Sequence, residues 1–282
     1  MPSRPLFLLS DFGLQDAYVG VLHARIAALA PDAPVHDLHH LLPPQDLRAA
    51  RLTLAATLPW LPCGSVVCAV IDPGVGLPRH GVALRSERTD GRDVWLVAPD
   101  NGLLSGVLQH DRVPYGTPFC AKEAWRLERA ALPAGGPGTT FDGRDLFAPA
   151  AALLARGDAP ASIGTAMAVD ELVRTPAPAL AQSGSGVRGR IVWIDRFGNL
   201  VSDVPPASAQ TRPGGRFIAE VAGRSLTGPA PGFAAVPPGA AVAYVGSLGT
   251  IEFALRDGDA ANDWGVSVDA EVTVRPAATA AA

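Results

Sequence analysis

An apolar, β-branched run from Ser65 to Ile71 breaks off into Asp72-Pro73-Gly74-Val75-Gly76-Leu77-Pro78-Arg79-His80. Such a run reads as a buried strand, because its continuous apolar character needs cover on both faces. The acid, the prolines and the glycines then end it in a tight loop, with Gly74 and Gly76 expected to supply positive φ. A carboxylate delivered by a buried strand, with an arginine and a histidine a few residues on, is where open α/β sheets place chemistry. Taken alone, Asp72 fits equally well as a turn former paired with Arg79 at the surface.

The flanking pattern makes the strand one of a series. Pro5–Leu9, Val35–Leu38, Gly81–Leu84 and Val94–Val97 are short apolar runs. Between them, Asp16–Ala30 has helical periodicity, with Tyr18, Leu22, Ile26 and Leu29 on one stripe, and a second helix after Pro43-Pro44 carries Leu47, Leu54 and Leu58. Alternation of this kind predicts a mainly parallel sheet with covered faces. Asp11, Asp37, Asp72 and Asp100 then fall at or near strand ends, where the carboxyl edges of parallel strands share one crevice. Residues 116–138 show no clear period. Arg144 and Asp145 precede an alanine-rich helix from Leu146 to Ala155, where they are expected to pair and cap.

From Arg174 to Val187 the composition is that of a linker, rich in Pro, Ala, Ser and Gly. Beyond it the runs Arg190–Ile194, Phe217–Val221, Ala241–Val245, Ile251–Leu255 and Glu271–Val274 are separated by Gly and Pro turns, the mark of a small all-β domain, sandwich or barrel. The expected organisation is an α/β N-terminal domain over 1–173, a linker over 174–187, and a β C-terminal domain over 188–282 that ends in a frayed tail.

Composition excludes several functions. A net charge of −4, with Lys122 the one lysine, provides no basic footprint for nucleic acid. Three cysteines without metal-ligand spacing fit reduced thiols in the cytoplasm. No leader-like or bilayer-length apolar segment is read, so no membrane partner is expected. There is no Gly-x-Gly-x-x-Gly after the first strand, no Walker loop and no Gly-x-Ser-x-Gly elbow. His39-His40 near Asp37, with Asp11, Asp72, Asp100 and Asn101, permits a metal-dependent phosphohydrolase, although the spacing fits no tight metal signature.

One set of motifs is shared with a known family. Ser10-Asp11-Phe12-Gly13 with Asp16-Ala17-Tyr18-Val19-Gly20, Pro43-Pro44-Gln45-Asp46, Ile71 to Gly76, Pro99-Asp100-Asn101-Gly102, Phe141 to Pro149, Ile194 to Asn199, and Gly246-Ser247 with Glu252 occur in order along the chain. The chain therefore resembles the S-adenosylmethionine hydroxide adenosyltransferases, relatives of the fluorinase and chlorinase enzymes. The resemblance implies an α/β domain followed by a β domain, a homotrimer with the substrate between the N-domain of one subunit and the C-domain of the next, and no cofactor. It implies cleavage of S-adenosylmethionine at C5′ by water or hydroxide, giving adenosine and methionine; the halogenating relatives use a halide.

Carried over residue by residue, the resemblance makes Asp72 and Arg79 two members of a water-activating Asp-Arg-His set. Asp142 stands where the typical hydrolases have the histidine. That carboxylate either accepts a proton from water or pairs with Arg79, and His80 is a candidate substitute. Asp11 matches the acid on the ribose hydroxyls, Phe141 and Phe197 the apolar walls of the nucleoside pocket, and Asn199 the adenine reader. Asp195 matches the acid on the methionine ammonium and Ser247 the hydroxyl near its carboxylate. Phe141 and Phe197 fit core packing equally well on burial tendency alone. With Asp142 in the histidine's place, a non-catalytic protein binding S-adenosylmethionine or adenosine is the alternative of a different class. A halogenase fits less well, because a halide needs a site free of negative charge and Val75 offers no hydroxyl.

Overall fold

The computed structural model describes residues 3–88, 90–108, 119–176, 180–209 and 215–277. The chain forms two compact units, residues 1–177 and 178–282.

In the first unit, β1 (Leu6–Ser10), α1 (Tyr18–Leu29), β2 (Val35–His39), α2 (Leu47–Thr57), β3 (Ser65–Val70), β4 (Gly81–Arg88), β5 (Asp93–Pro99), α3 (Ser105–Leu108), β6 (Phe119–Leu127), α4 (Ala148–Arg156) and β7 (Gly164–Met167) follow one another. The sheet order is β2-β1-β3-β5-β4-β6-β7. Pairs β2-β1, β1-β3 and β3-β5 are parallel, whereas β5-β4, β4-β6 and β6-β7 are antiparallel. The antiparallel half includes β6, which lies in the stretch where the sequence shows no period; the earlier part of that stretch, residues 116–118, is outside the described residues.

Every residue of β3 is buried. Val66, Cys68 and Val70 pack with Leu22 and Ile26 of α1 and Ala148, Ala151 and Ala155 of α4. Val67 and Ala69, which alternate to the other face, are equally inaccessible. That two-sided burial is what the apolar run required.

The helix ends follow from local chemistry. Asp46 caps α2, its Oδ1 accepting from the amides of Arg48 and Ala49 at 2.9 and 3.0 Å. Gly157, at φ +98°, closes α4, with the Asp158 amide reaching the Leu153 carbonyl at 3.0 Å. A π-helical turn, Gly143–Phe147, leads into α4. Asp145 does not cap this helix. It pairs with Arg144, both bonds at 2.7 Å, and accepts from the Gly136 amide at 3.0 Å, fastening the 133–138 loop instead. Tyr18, expected on the buried stripe of α1, is exposed; Val19, Leu22 and Ile26 are the buried residues there.

In the second unit, β8 (Ala181–Ser183), β9 (Gly186–Ile194), β10 (Leu200–Ser202), β11 (Phe217–Val221), β12 (Arg224–Gly228), β13 (Ala241–Val245), β14 (Ile251–Leu255), α5 (Ala260–Trp264) and β15 (Glu271–Pro276) form an antiparallel sheet with one short helix. The order is β12-β11-β15-β9-β10-β14-β13, with β8 on β9. Its two ends meet. The Ala230 amide donates to the Ala243 carbonyl at 2.9 Å, and Ala230 bridges Tyr244, so the sheet curls into a nearly closed barrel. Phe217, Phe253, Ile191 and Val272 fill the interior. Residues 177–179 of the expected linker and 278–282 of the tail lie outside the described residues.

Candidate active site

The loop after β3 turns back at once: the Val75 amide donates to the Asp72 carbonyl at 3.1 Å, and Leu77 to Gly74 at 3.0 Å. Gly76 takes φ +81° as anticipated, but Gly74 is not among the positive-φ glycines. Asn101, in the loop after β5, anchors the strand end by donating Nδ2 to the Ile71 carbonyl at 3.0 Å.

The turn returns Arg79 onto Asp72. Arg79 Nε donates to Asp72 Oδ1 at 3.1 Å and Nη2 donates to Oδ2, a bidentate fork. The same Nη2 donates to Asp142 Oδ2 at 2.5 Å. Asp142 therefore pairs with Arg79, one of its two anticipated roles. Its other oxygen accepts from Arg129 Nη2. Arg129 stands in the short turn after β6, a residue the sequence did not single out. Two aspartates and two arginines thus form one chain, Asp72–Arg79–Asp142–Arg129. The Asp142 side chain is 3% exposed and that of Arg129 54%, so the set runs from the interior to solvent.

Packing fixes Arg79 further. Its guanidinium carbon lies 5.3 Å from the centre of the Phe147 ring. Gly81 makes room for that ring; a Cβ there would lie 2.7 Å from Leu146 and 3.0 Å from Phe147. Burial acts to lower the Arg79 pKa, but the bonds and charges of Asp72 and Asp142 outweigh it and hold the guanidinium above its ordinary value. His80 does not join the cluster. It is exposed, and its charge acts on Asp100, whose carboxyl is pushed up by burial and accepts from the Val173 amide at 2.9 Å.

Asp11 is partly exposed after β1, and its Oδ2 accepts from the Gln45 amide at 2.7 Å. Gln45 pays for this with φ +64°, an uncommon conformation for a residue with a Cβ. Asp11, Asp72 and Asp100 follow parallel strands and share the sheet's carboxyl edge, but no bond links them. Asp37 is different: it lies within β2 and bonds His23 at 2.8 Å, with His40 Nε2 at 3.1 Å. His40 is buried and its Nδ1 meets Ser10 Oγ at 2.7 Å, so it braces the start of the Asp11 loop.

Phe141 meets Phe12 and Tyr18 edge-on, with ring centres 5.8 and 5.1 Å apart. This partly exposed aromatic cluster adjoins Asp142 in the chain. Phe12 was legible only as a member of a motif and Tyr18 as a motif member and a residue of the helix stripe; neither was legible as a ring partner of Phe141.

In the second unit one loop carries three of the candidates. Asp195 Oδ1 accepts from the Phe197 and Asn199 amides at 2.8 and 2.9 Å, and Oδ2 accepts from Asn199 Nδ2 at 2.8 Å. Phe197 is 74% exposed, which rules out core packing for it. Ser247 is exposed in the turn where the Gly249 amide donates to Gly246 at 2.9 Å. Beside this turn Tyr244 donates to Glu252 Oε2 at 2.9 Å. Burial raises the Glu252 pKa; the Tyr244 bond opposes the rise and the Asp195 charge adds to it. Among the described residues no group of three or more His, Cys, Asp or Glu could hold a metal ion. No helix among them is long and apolar enough to cross a membrane.

Comparison with known proteins decides the family. Residues 6–164 match the SAM hydroxide adenosyltransferase N-terminal domain and residues 189–273 the SAM hydroxide adenosyltransferase C-terminal domain. The chain belongs to the SAM hydroxide adenosyltransferase family. Among other SAM hydroxide adenosyltransferase relatives, an (R)-S-adenosyl-L-methionine hydrolase of Thermus thermophilus is 44% identical, over 91% of this chain and 94% of that protein. A protein of the same name from Salinispora arenicola is 36% identical, over 93% and 94%. A fluorinase of an Actinoplanes species is more distant, 27% identical over 70% of each chain. A crystal structure of a conserved protein from Thermotoga maritima superposes with a TM-score of 0.83 at 26% identity, covering 96% of this chain and 99% of that one.

Proposed function

We propose that this protein hydrolyses S-adenosyl-L-methionine to adenosine and L-methionine by attack of water or hydroxide at C5′. The observation that carries the reading is the Asp72–Arg79 fork closed by Asp142, in a chain 44% identical to a named hydrolase of this substrate.

The sulfonium leaves as a neutral thioether, so the reaction needs no acid to protonate the leaving group and no cofactor. What the protein has to supply is a nucleophile held in line with the C–S bond, in a site that displaces bulk water. Asp72 is the general base. Each of its oxygens bonds the Arg79 fork and keeps a lone pair with which to orient the attacking water. Water loses a proton to Asp72 as its oxygen bonds C5′ and the C–S pair departs on sulfur. Asp142 acts on Arg79 and is not the base.

The other assignments complete the reading. Asp11 accepts from the ribose hydroxyls. Phe141 and Phe197 cover the nucleoside, Asn199 reads adenine through its side-chain amide, Asp195 faces the ammonium of methionine and Ser247 its carboxylate. The protein works in the cytoplasm as a homotrimer in which the first unit of one subunit meets the second unit of another.

The test is incubation of the purified protein with S-adenosyl-L-methionine, resolved into its sulfonium epimers, in the presence and absence of chloride and chelator. Adenosine and methionine in equal amounts, unaffected by chelator, are the expected products. Saturable binding without product supports a binding protein, 5′-chloroadenosine a halogenase, and loss of activity in chelator a metal-dependent hydrolase; each overturns the reading.

A further inference from the structure

Asp72 and Asp142 converge on a single, largely enclosed guanidinium, that of Arg79, whose side chain is 11% exposed and whose Nη2 is shared between them. Left as a trio, the set has two anions for one cation. Asp142 would then compete with Asp72 for the fork, leaving one buried carboxylate short of a partner. Arg129 supplies the missing cation from the far side, on the Asp142 oxygen that Arg79 does not touch. Its backbone is placed independently of the pair. The Glu128 amide donates to the Ile163 carbonyl at 3.1 Å, and Leu132 is buried in the core.

We propose that Arg129 is a positioning residue for the hydrolysis: by holding Asp142, it leaves the Arg79 fork to Asp72, which thereby keeps the orientation that faces the attacking water. This rests on the hydrolase reading and deepens it. The bland alternative is a surface ion pair of little consequence, as the exposure of the Arg129 side chain invites. The asymmetry of the pair argues against that. Its carboxylate is 3% exposed, so loss of Arg129 leaves a buried charge with one shared partner. The charged groups about Asp142 are Arg79 and Arg129 directly, and Asp72 through Arg79. Asp145, paired to Arg144, also feels Arg129.

The experiment is a double-mutant cycle of Arg129→Gln and Asp142→Asn, with Arg129→Lys as the conservative variant, read as kcat, KM and the pH profile of kcat/KM. Arg129→Gln is expected to lower kcat about tenfold, the coupling usual within one charged network. KM should change by no more than about twofold on the same grounds, because Arg129 acts through Asp142 and not on substrate. The acid limb of the profile should move to higher pH, and Arg129→Lys should recover part of the rate. In the Asp142→Asn background, Arg129→Gln should add almost nothing. Equal losses in both backgrounds, an effect on KM alone, or no effect in either would overturn the proposal while leaving hydrolysis intact. If Asp142→Asn does not fold, the acid limb of Arg129→Gln against Arg129→Lys decides: no movement contradicts it. Absence of turnover in the unaltered protein sinks both readings.

Discussion

The two units place their carboxylates in opposite ways. In the first, Asp72 and Arg79 come from the connection after β3, Arg129 and Asp142 from the connection after β6, and the two pairs meet only because the sheet is assembled. In the second, Asp195 is held by Phe197 and Asn199, all within five consecutive residues. The first cluster is therefore a product of tertiary structure. The second is a local motif that needs the barrel only as a frame. The difference teaches where each kind of site is vulnerable. A long-range cluster loses both stability and chemistry when one member goes, and a local loop loses chiefly its ligand.

The largest expected effect tests that division at the reacting atoms. Asp72→Ala should lower kcat about 10²- to 10⁴-fold, the usual contribution of a positioned base, whereas Asp195→Ala should act mainly through KM. Steady-state assays of adenosine release measure both, and a larger loss of kcat for Asp195→Ala would reverse the comparison. Next in size is stability. Asp142→Ala strips the Arg79 and Arg129 guanidinium groups of the buried carboxylate they share and should cost about 3 kcal/mol in a denaturant melt. Asp195→Ala, which removes hydrogen bonds at a partly exposed loop, should cost about 1 kcal/mol.

A third expectation concerns pH. Asp145 is held below its ordinary value, first by the Arg144 bonds, so its contribution is present at neutral pH and is lost as pH falls through its folded value. Glu252 has the opposite sign. Burial raises its folded value, so its contribution is present below the ordinary 4.5 and is lost as pH rises towards the raised value. Melts of Glu252→Gln against the unaltered protein should show the variant gaining relative stability as pH rises from about 4.5 through that window. A constant difference across it would mean that the buried carboxyl is not perturbed. The smallest effect is at Phe197. With a side chain 74% exposed, Phe197→Ala should change stability by less than about 0.5 kcal/mol while weakening binding of adenosine in calorimetry.

How far the sequence could be read follows the same line between local and long-range. The buried strand, its Asp-Pro-Gly turn and the β-rich second half were legible because apolar period and turn residues are local signals. The Asp195–Asn199 loop was legible through the motif it shares with the family, because all its members lie within one short stretch of chain. β6 was not, since its burial alternates irregularly and its partners β4 and β7 are distant in sequence. Arg129 was invisible, because nothing near it in the chain hints that Asp142, thirteen residues on, needs a second cation. Asp145 was misread as a cap because an acid before a helix usually is one; the Gly136 amide claims it instead. Tyr18 fitted the apolar stripe by spacing, but its ring turns out to Phe12 and Phe141.

The most direct test of the central claim is turnover of S-adenosyl-L-methionine in water enriched in oxygen-18, with the products weighed by mass spectrometry. Attack of Asp72-held water at C5′ predicts one heavy oxygen in the 5′-hydroxyl of adenosine, none in methionine, and loss of labelled product in Asp72→Ala. Adenosine without label, or labelled product undiminished in that variant, would contradict it.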